Sequence, residues 1–207
     1  MNLTVVDLIK IAYMKGVPLF KDNFDESVHP RDESGKFTET GDDEGEHPTT
    51  EYGERPQLSP RLNERLKTTD AILREKLAAK AIERSYGYSA DGDTQFTGVG
   101  SEHGVTSDVR GFEKIRGGVF SHSHPSGGSF SGKDILVARK YGLASMRAVT
   151  AEGVFVLGPP KGGWGSVSEY EFGKTVESEF KHITGYSNKH VTRIVKKYDL
   201  HYRWETA

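Results

Sequence analysis

The chain has 207 residues, a net charge of −2, no cysteine and only 34% hydrophobic residues. It therefore carries no disulfide framework, no thiolate nucleophile and no thiolate metal ligand, and no apolar run nears the roughly 20 residues that cross a bilayer. With 24 glycines and so few apolar side chains, part of the chain is expected to lie outside any core.

The opening "LTVVDLIKIAYMKG" reads as a short amphipathic helix within residues 1–21, with Val6, Ile9 and Tyr13 at helical spacing and Gly16 near its end. No signal-peptide apolar region or cleavage site stands there, which together with the absence of cysteine fits a cytoplasmic setting. Residues 22–60 hold 12 acidic and 3 basic residues, four prolines and few aliphatics. Such a segment buries too little apolar surface to offset its ordering entropy, so it reads as a disordered acidic linker. The rest of the chain is correspondingly basic, most of all in "NKHVTRIVKKYDLHYRW".

Folded structure is expected from residue 61. "RLNERLKTTDAILREKLAAKA" puts Leu62, Leu66, Leu73 and Leu77 on one helical face. "IERSYGYSADGDTQFTGVG" shifts to the period of strands, with "ADGD" as a hairpin turn. "GGVFSH" reads as a strand feeding a glycine loop, and "SGKDILVARKYG" as a helix capped by Ser131 and stopped by Gly142. "MRAVTAEGVFVLG" gives two strands joined at "AEG", and "GPPKGGWG" breaks the pattern. Residues 61–160 thus form an α/β domain with a mixed sheet flanked by helices, and 161–207 are expected as a basic helical extension.

The stretch "VFSHSHPSGGSFSGKDILVARKYG" carries the chemistry. Residues i and i+2 of a strand share a face, so His122 and His124 can bind one ion while Ser123 points away. The loop "PSGGSF" returns the chain to a helix start, where Asp134 can add a third ligand. Without cysteine the donors are histidine and carboxylate, which favours zinc, and three protein ligands leave a fourth position for water, the arrangement of catalytic sites. A plainer reading stands beside this one, because Ser131-x-x-Asp134 is also a helix capping pattern.

"HSHPSGGSFSGKD" resembles the signature of JAMM (MPN+) metalloproteases, His-x-His-Pro, a loop, then Ser-x-x-Asp, and its "HPSG" is similar to the RadC-like bacterial branch. The resemblance covers roughly residues 65–160. It implies a JAMM/MPN-like, cytidine-deaminase-like fold, a Zn2+ cofactor on His122, His124 and Asp134, and Ser131 steadying the tetrahedral intermediate. One departure is a spacing of six residues between His124 and Ser131, where the family usually has seven. The family also uses a glutamate that relays the proton of the attacking water. Glu83, where helix gives way to strand, fits that place, and Glu102 and Glu113 compete for it. His103 is near enough in sequence to watch, whereas His29, His47, His182, His190 and His201 read as incidental.

"HPRDESGKFTE", residues 29–39, resembles a segment of head-associated proteins of tailed phages. Together the two resemblances imply a phage or prophage protein in the bacterial cytoplasm or on the virion. It would be a zinc peptidase or isopeptidase acting on a protein or peptide in head morphogenesis or on host proteins, with phage head proteins as partners and no membrane. Two alternatives stay open: a non-catalytic JAMM-like module that docks on a capsid or partner, and a RadC-like nucleic-acid accessory protein, for which no recognised binding module speaks.

Overall fold

A computed structural model describes residues 47–79, 82–100, 109–183 and 186–207, which belong to one compact unit. The expected N-terminal helix and residues 22–46 of the expected linker lie outside the described residues, as do Glu102 and His103.

Pro60 opens α1 (Pro60–Ala79), a position where its missing N–H costs nothing, and the Ser59 hydroxyl accepts from the Leu62 N–H at 3.2 Å. Two strands follow, β1 (Arg84–Tyr88) and β2 (Thr94–Val99), closed by a turn at Gly92, whose φ of +85° suits glycine. A short helix α2 (Val109–Lys114) precedes β3 (Val119–Ser123). Then come α3 (Gly132–Lys140), β4 (Ser145–Val149), β5 (Gly153–Pro160), α4 (Glu169–Phe180), α5 (Asn188–Tyr198) and β6 (Leu200–Thr206). The α/β expectation holds at this level: a six-stranded mixed sheet in the order β2-β1-β3-β4-β5-β6, with β3 and β4 parallel and every other pair antiparallel.

Strand alternation sorts the sheet into two faces. Val119, Val149, Val154 and Val156 meet Leu62, Leu66 and Leu73 of α1 on one face. Phe120, Met146, Ala148, Phe155 and Leu157 meet α3, α4 and α5 on the other, through Ile135, Ala138, Phe172, Val176, Val191 and Ile194. Burial on both faces explains why β3, β4 and most of β5 are closed to solvent.

The C-terminal segment differs from expectation. Residues 200–206 form a strand, not the end of a helix, and the segment 161–207 is built into the sheet and its core. Asp199 adopts a left-handed conformation (φ 51°) that ends α5 and turns the chain. Beyond it Leu200, Tyr202 and Trp204 alternate with polar residues, a period of two that the adjoining helical pattern conceals. Residues 47–59 of the expected linker are also placed: Tyr52 bridges to Tyr202 through two 2.9 Å backbone hydrogen bonds, and His47 stacks on Trp204 at 3.7 Å. Among the described residues no helix is long and apolar enough to cross a membrane.

Candidate metal centre

Strand β3 sets the two imidazoles. His122 and His124 point to the α3 face, and both rings are buried. The His124 backbone N–H continues the parallel ladder by donating to the Val149 carbonyl at 2.8 Å, so the second histidine is held as firmly as the first. After it the chain turns through Gly127, at φ +80°, and is pinned by buried Phe130 and by the Ser129 hydroxyl, 2.6 Å from the Tyr202 hydroxyl.

That loop brings α3 back to the histidines. Ser131 caps α3 through a complete capping box, and Asp134 is its reciprocal partner. Oδ2 of Asp134 accepts from the Ser131 backbone N–H at 2.8 Å and from the Ser131 hydroxyl at 2.7 Å. Oδ1 is left facing His122 Nε2 at 3.4 Å. The capping reading of Asp134 is thus met by Oδ2, and Oδ1 is the oxygen that faces the histidines.

His122 Nε2 and His124 Nε2 stand 2.7 Å apart, and with the Asp134 carboxylate their donor atoms lie within 4.8 Å of one another. His124 Nδ1 donates to the Gly128 carbonyl at 3.0 Å, which leaves its Nε2 lone pair directed into the cluster. Two imidazole nitrogens and one carboxylate oxygen suit a divalent ion of zinc's class, and the three residues can hold a metal ion together.

Electrostatics separates the two rings. Burial alone works against charge on His122, but the charge and hydrogen bond of Asp134, helped by Glu83, outweigh it and hold its pKa above the ordinary value. His124 is lowered to about 4 by burial and by the neighbouring His122. For Asp134, burial is outweighed by His122, His124 and the Ser131 hydroxyl, so its carboxyl is held well below the usual range. The cluster therefore keeps Asp134 ionised and places a shared proton on His122 in preference to His124.

Of the two candidate glutamates among the described residues, Glu83 and Glu113, the fold brings Glu83 to the site. Ser85 of β1 pairs with His122, and the same antiparallel register carried two residues further sets Glu83 opposite His124. Glu83 is 4% exposed, and its charge acts on His122, yet it is not among the converging ligands. Glu113 sits on α2, exposed and paired with Arg116 at 2.6 Å, far from this role. The remaining described histidines stay outside the cluster: His47 stacks on Trp204, His190 meets Glu179 at 3.2 Å, His201 lies under the Tyr52 carbonyl, and His182 is exposed.

Tyr186 is the residue that sequence reasoning misses. Its hydroxyl donates to Glu83 Oε1 at 2.6 Å, and its ring lies on His124 with centroids 4.0 Å apart. Burial first, then the charges of Glu83 and Asp134, push the phenol far above its ordinary pKa, so it stays protonated. A Cβ on Gly128 would sit 2.6 Å from the Tyr186 Cβ, so the ring's approach depends on that glycine. In sequence the only sign is an aromatic in the polar stretch "TGYSNKH", more than fifty residues from the motif.

Behind the site, on the α1 face, Arg147 is buried against Asp70 at 2.5 Å and Glu205 at 2.6 Å. It pairs in register with Ser121, the neighbour of His122 on β3. Comparison of the chain with known protein families, with curated proteins and with solved structures gives no match in any of the three.

Proposed function

We propose that the chain is a metal-dependent hydrolase of the JAMM type, holding zinc on His122, His124 and Asp134 and cleaving a peptide or isopeptide bond. One observation carries this reading: a buried carboxylate, Glu83, stands beside three converging donors without being one of them. Structural metal sites have no use for such a group, whereas hydrolysis does. A zinc ion held there supplies Lewis acidity and brings the pKa of a water towards ~7.

The chain's own residues do the rest. Glu83 takes the proton of the attacking water and hands it to the leaving nitrogen. Gly128 fixes the His124 tautomer through its carbonyl, and Ser131 fixes the Asp134 carboxylate. The phage-like segment at residues 29–39 extends the proposal to a phage-encoded enzyme, acting on head proteins or host proteins in the bacterial cytoplasm.

Metal analysis of the purified protein beside a His122→Ala control tests the first half: zinc near one per chain, lost in the variant. Glu83→Gln tests the second. It should keep wild-type zinc and lose at least ~100-fold in turnover of internally quenched peptides and isopeptide-linked substrates, the lower range for general acid–base catalysis. Near-native turnover in that variant removes Glu83 from the mechanism. Stoichiometric zinc in a wild type that cleaves nothing favours the docking-module reading.

A further inference from the structure

We propose that Tyr186, and not Ser131, supplies the hydroxyl that faces the substrate's carbonyl oxygen, an inference that rests on the hydrolase reading above. A serine hydroxyl has one proton to give. Ser131 gives its proton to Asp134 Oδ2 at 2.7 Å, while its oxygen accepts from the Asp134 N–H at 3.3 Å. Releasing it would undo both the helix cap and the orientation of a ligand.

Tyr186 reaches the cluster from the segment that precedes α5. Its hydroxyl is 2.6 Å from the base, its ring covers His124, and it feels the charges of both Glu83 and Asp134. The hydroxyl therefore adjoins the base, and a carbonyl attacked by the water that Glu83 deprotonates must come close to it. Its acceptor also changes at the right moment. The water oxygen bonds to the carbonyl carbon, the water proton passes to Glu83, and the C=O π pair moves onto oxygen. Glu83 loses its negative charge in that step, just as a new oxyanion forms beside it. Tyr186 then donates its hydrogen bond to the oxyanion and keeps its proton. On collapse the C–N bond breaks, its electron pair goes to nitrogen, and nitrogen takes the proton from Glu83, which becomes Tyr186's acceptor again.

The test uses full-length, zinc-loaded protein and the best-cleaved member of a library of internally quenched peptides. Tyr186→Phe keeps the ring on His124 and Gly128 and removes only the donor. Its kcat should fall about 100-fold, the scale for one oxyanion donor, with KM within about twofold. Zinc affinity, read by chelator competition, should be unchanged. Ser131→Ala should instead weaken zinc about 10-fold or more, the mark of a group that orients a ligand.

Wild-type kcat in Tyr186→Phe overturns the inference. So does weaker zinc binding with kcat per bound zinc intact, because Tyr186 would then only pack. A wild type that binds no zinc, or that cleaves nothing with zinc bound, overturns the hydrolase reading and this inference with it. An active wild type beside an equally active Tyr186→Phe sinks this inference alone.

Discussion

Loading the metal-free site with zinc at pH 6 should expel one proton. Zinc takes neutral imidazoles and ionised carboxylates, so the count depends on who holds protons beforehand. Asp134 is ionised, and His124, lowered to about 4, is neutral at pH 6. His122, raised above 6.5 by Asp134 against its own burial, is protonated. The ion therefore displaces the His122 proton alone. One proton lost per ion means that affinity rises tenfold per pH unit, about 1.4 kcal/mol, from roughly pH 5 upwards, and levels off above the raised pKa of His122. Below the His124 value of about 4 a second proton joins and the dependence steepens. Calorimetric titration of the metal-free protein with zinc chloride, in two buffers of different ionisation enthalpy, counts the protons directly. Release of two protons at pH 6 would mean that burial and the neighbouring His122 do not keep His124 neutral. Release of none would mean that Asp134 does not keep a proton on His122. Either result refutes this account of the cluster's charge.

Two further predictions concern the scaffold. Asp70→Asn leaves the buried Arg147 with Glu205 as its remaining carboxylate and should cost about 3 kcal/mol in urea unfolding, the low end for one partner of a buried pair; a loss under about 1 kcal/mol would show that Glu205 suffices. Burial holds the Asp70 carboxyl above its usual range despite Arg147's pull, so the pair is costly to form, and the double replacement Asp70→Leu/Arg147→Met should recover most of that loss. His201, buried and beside Arg203, is lowered from 6.5 to about 4, so the unfolded chain binds a proton in that window that the fold refuses. Stability from this residue is complete above about pH 6.5 and falls by about 3 kcal/mol on the way to pH 4; His201→Asn should remove that share of the acid limb and leave the similar share of His124.

What was legible in the sequence was local. His122 and His124 declare a shared face through a spacing of two, Ser131 and Asp134 declare a helix start through a spacing of three, and Gly92 and Gly142 mark a turn and a helix stop through their own backbone freedom. Each of these signals lies within a few residues, where covalent geometry fixes the outcome. Glu83 was legible only with help, because its place opposite His124 is a matter of β1–β3 register, and register belongs to two strands. Tyr186 and the Asp70–Arg147–Glu205 network were not legible at all, since each depends on segments that meet only when the sheet is complete. Strand β6 was hidden for another reason. Its alternating Leu200, Tyr202 and Trp204 follow directly on the helical repeat of α5, and the switch is made by the single left-handed residue Asp199.

The position of β6 bears on the site as well as on the fold. Its Tyr202 hydroxyl holds Ser129, inside the loop that presents the Gly128 carbonyl to His124, and accompanies Asn188 at the start of α5 at 2.6 Å. Tyr186 lies two residues before that same helix. One buried tyrosine on the far strand thus ties together the loop that orients His124 and the segment that carries the Tyr186 hydroxyl to Glu83. Burial drives the Tyr202 phenol far above the ordinary value, so it stays a neutral hydrogen-bonding hub. The C-terminal segment is therefore part of how the cluster is assembled: without β6 the two histidines would still share a face, but the carbonyl that sets the tautomer and the ring that covers it would lose their common anchor.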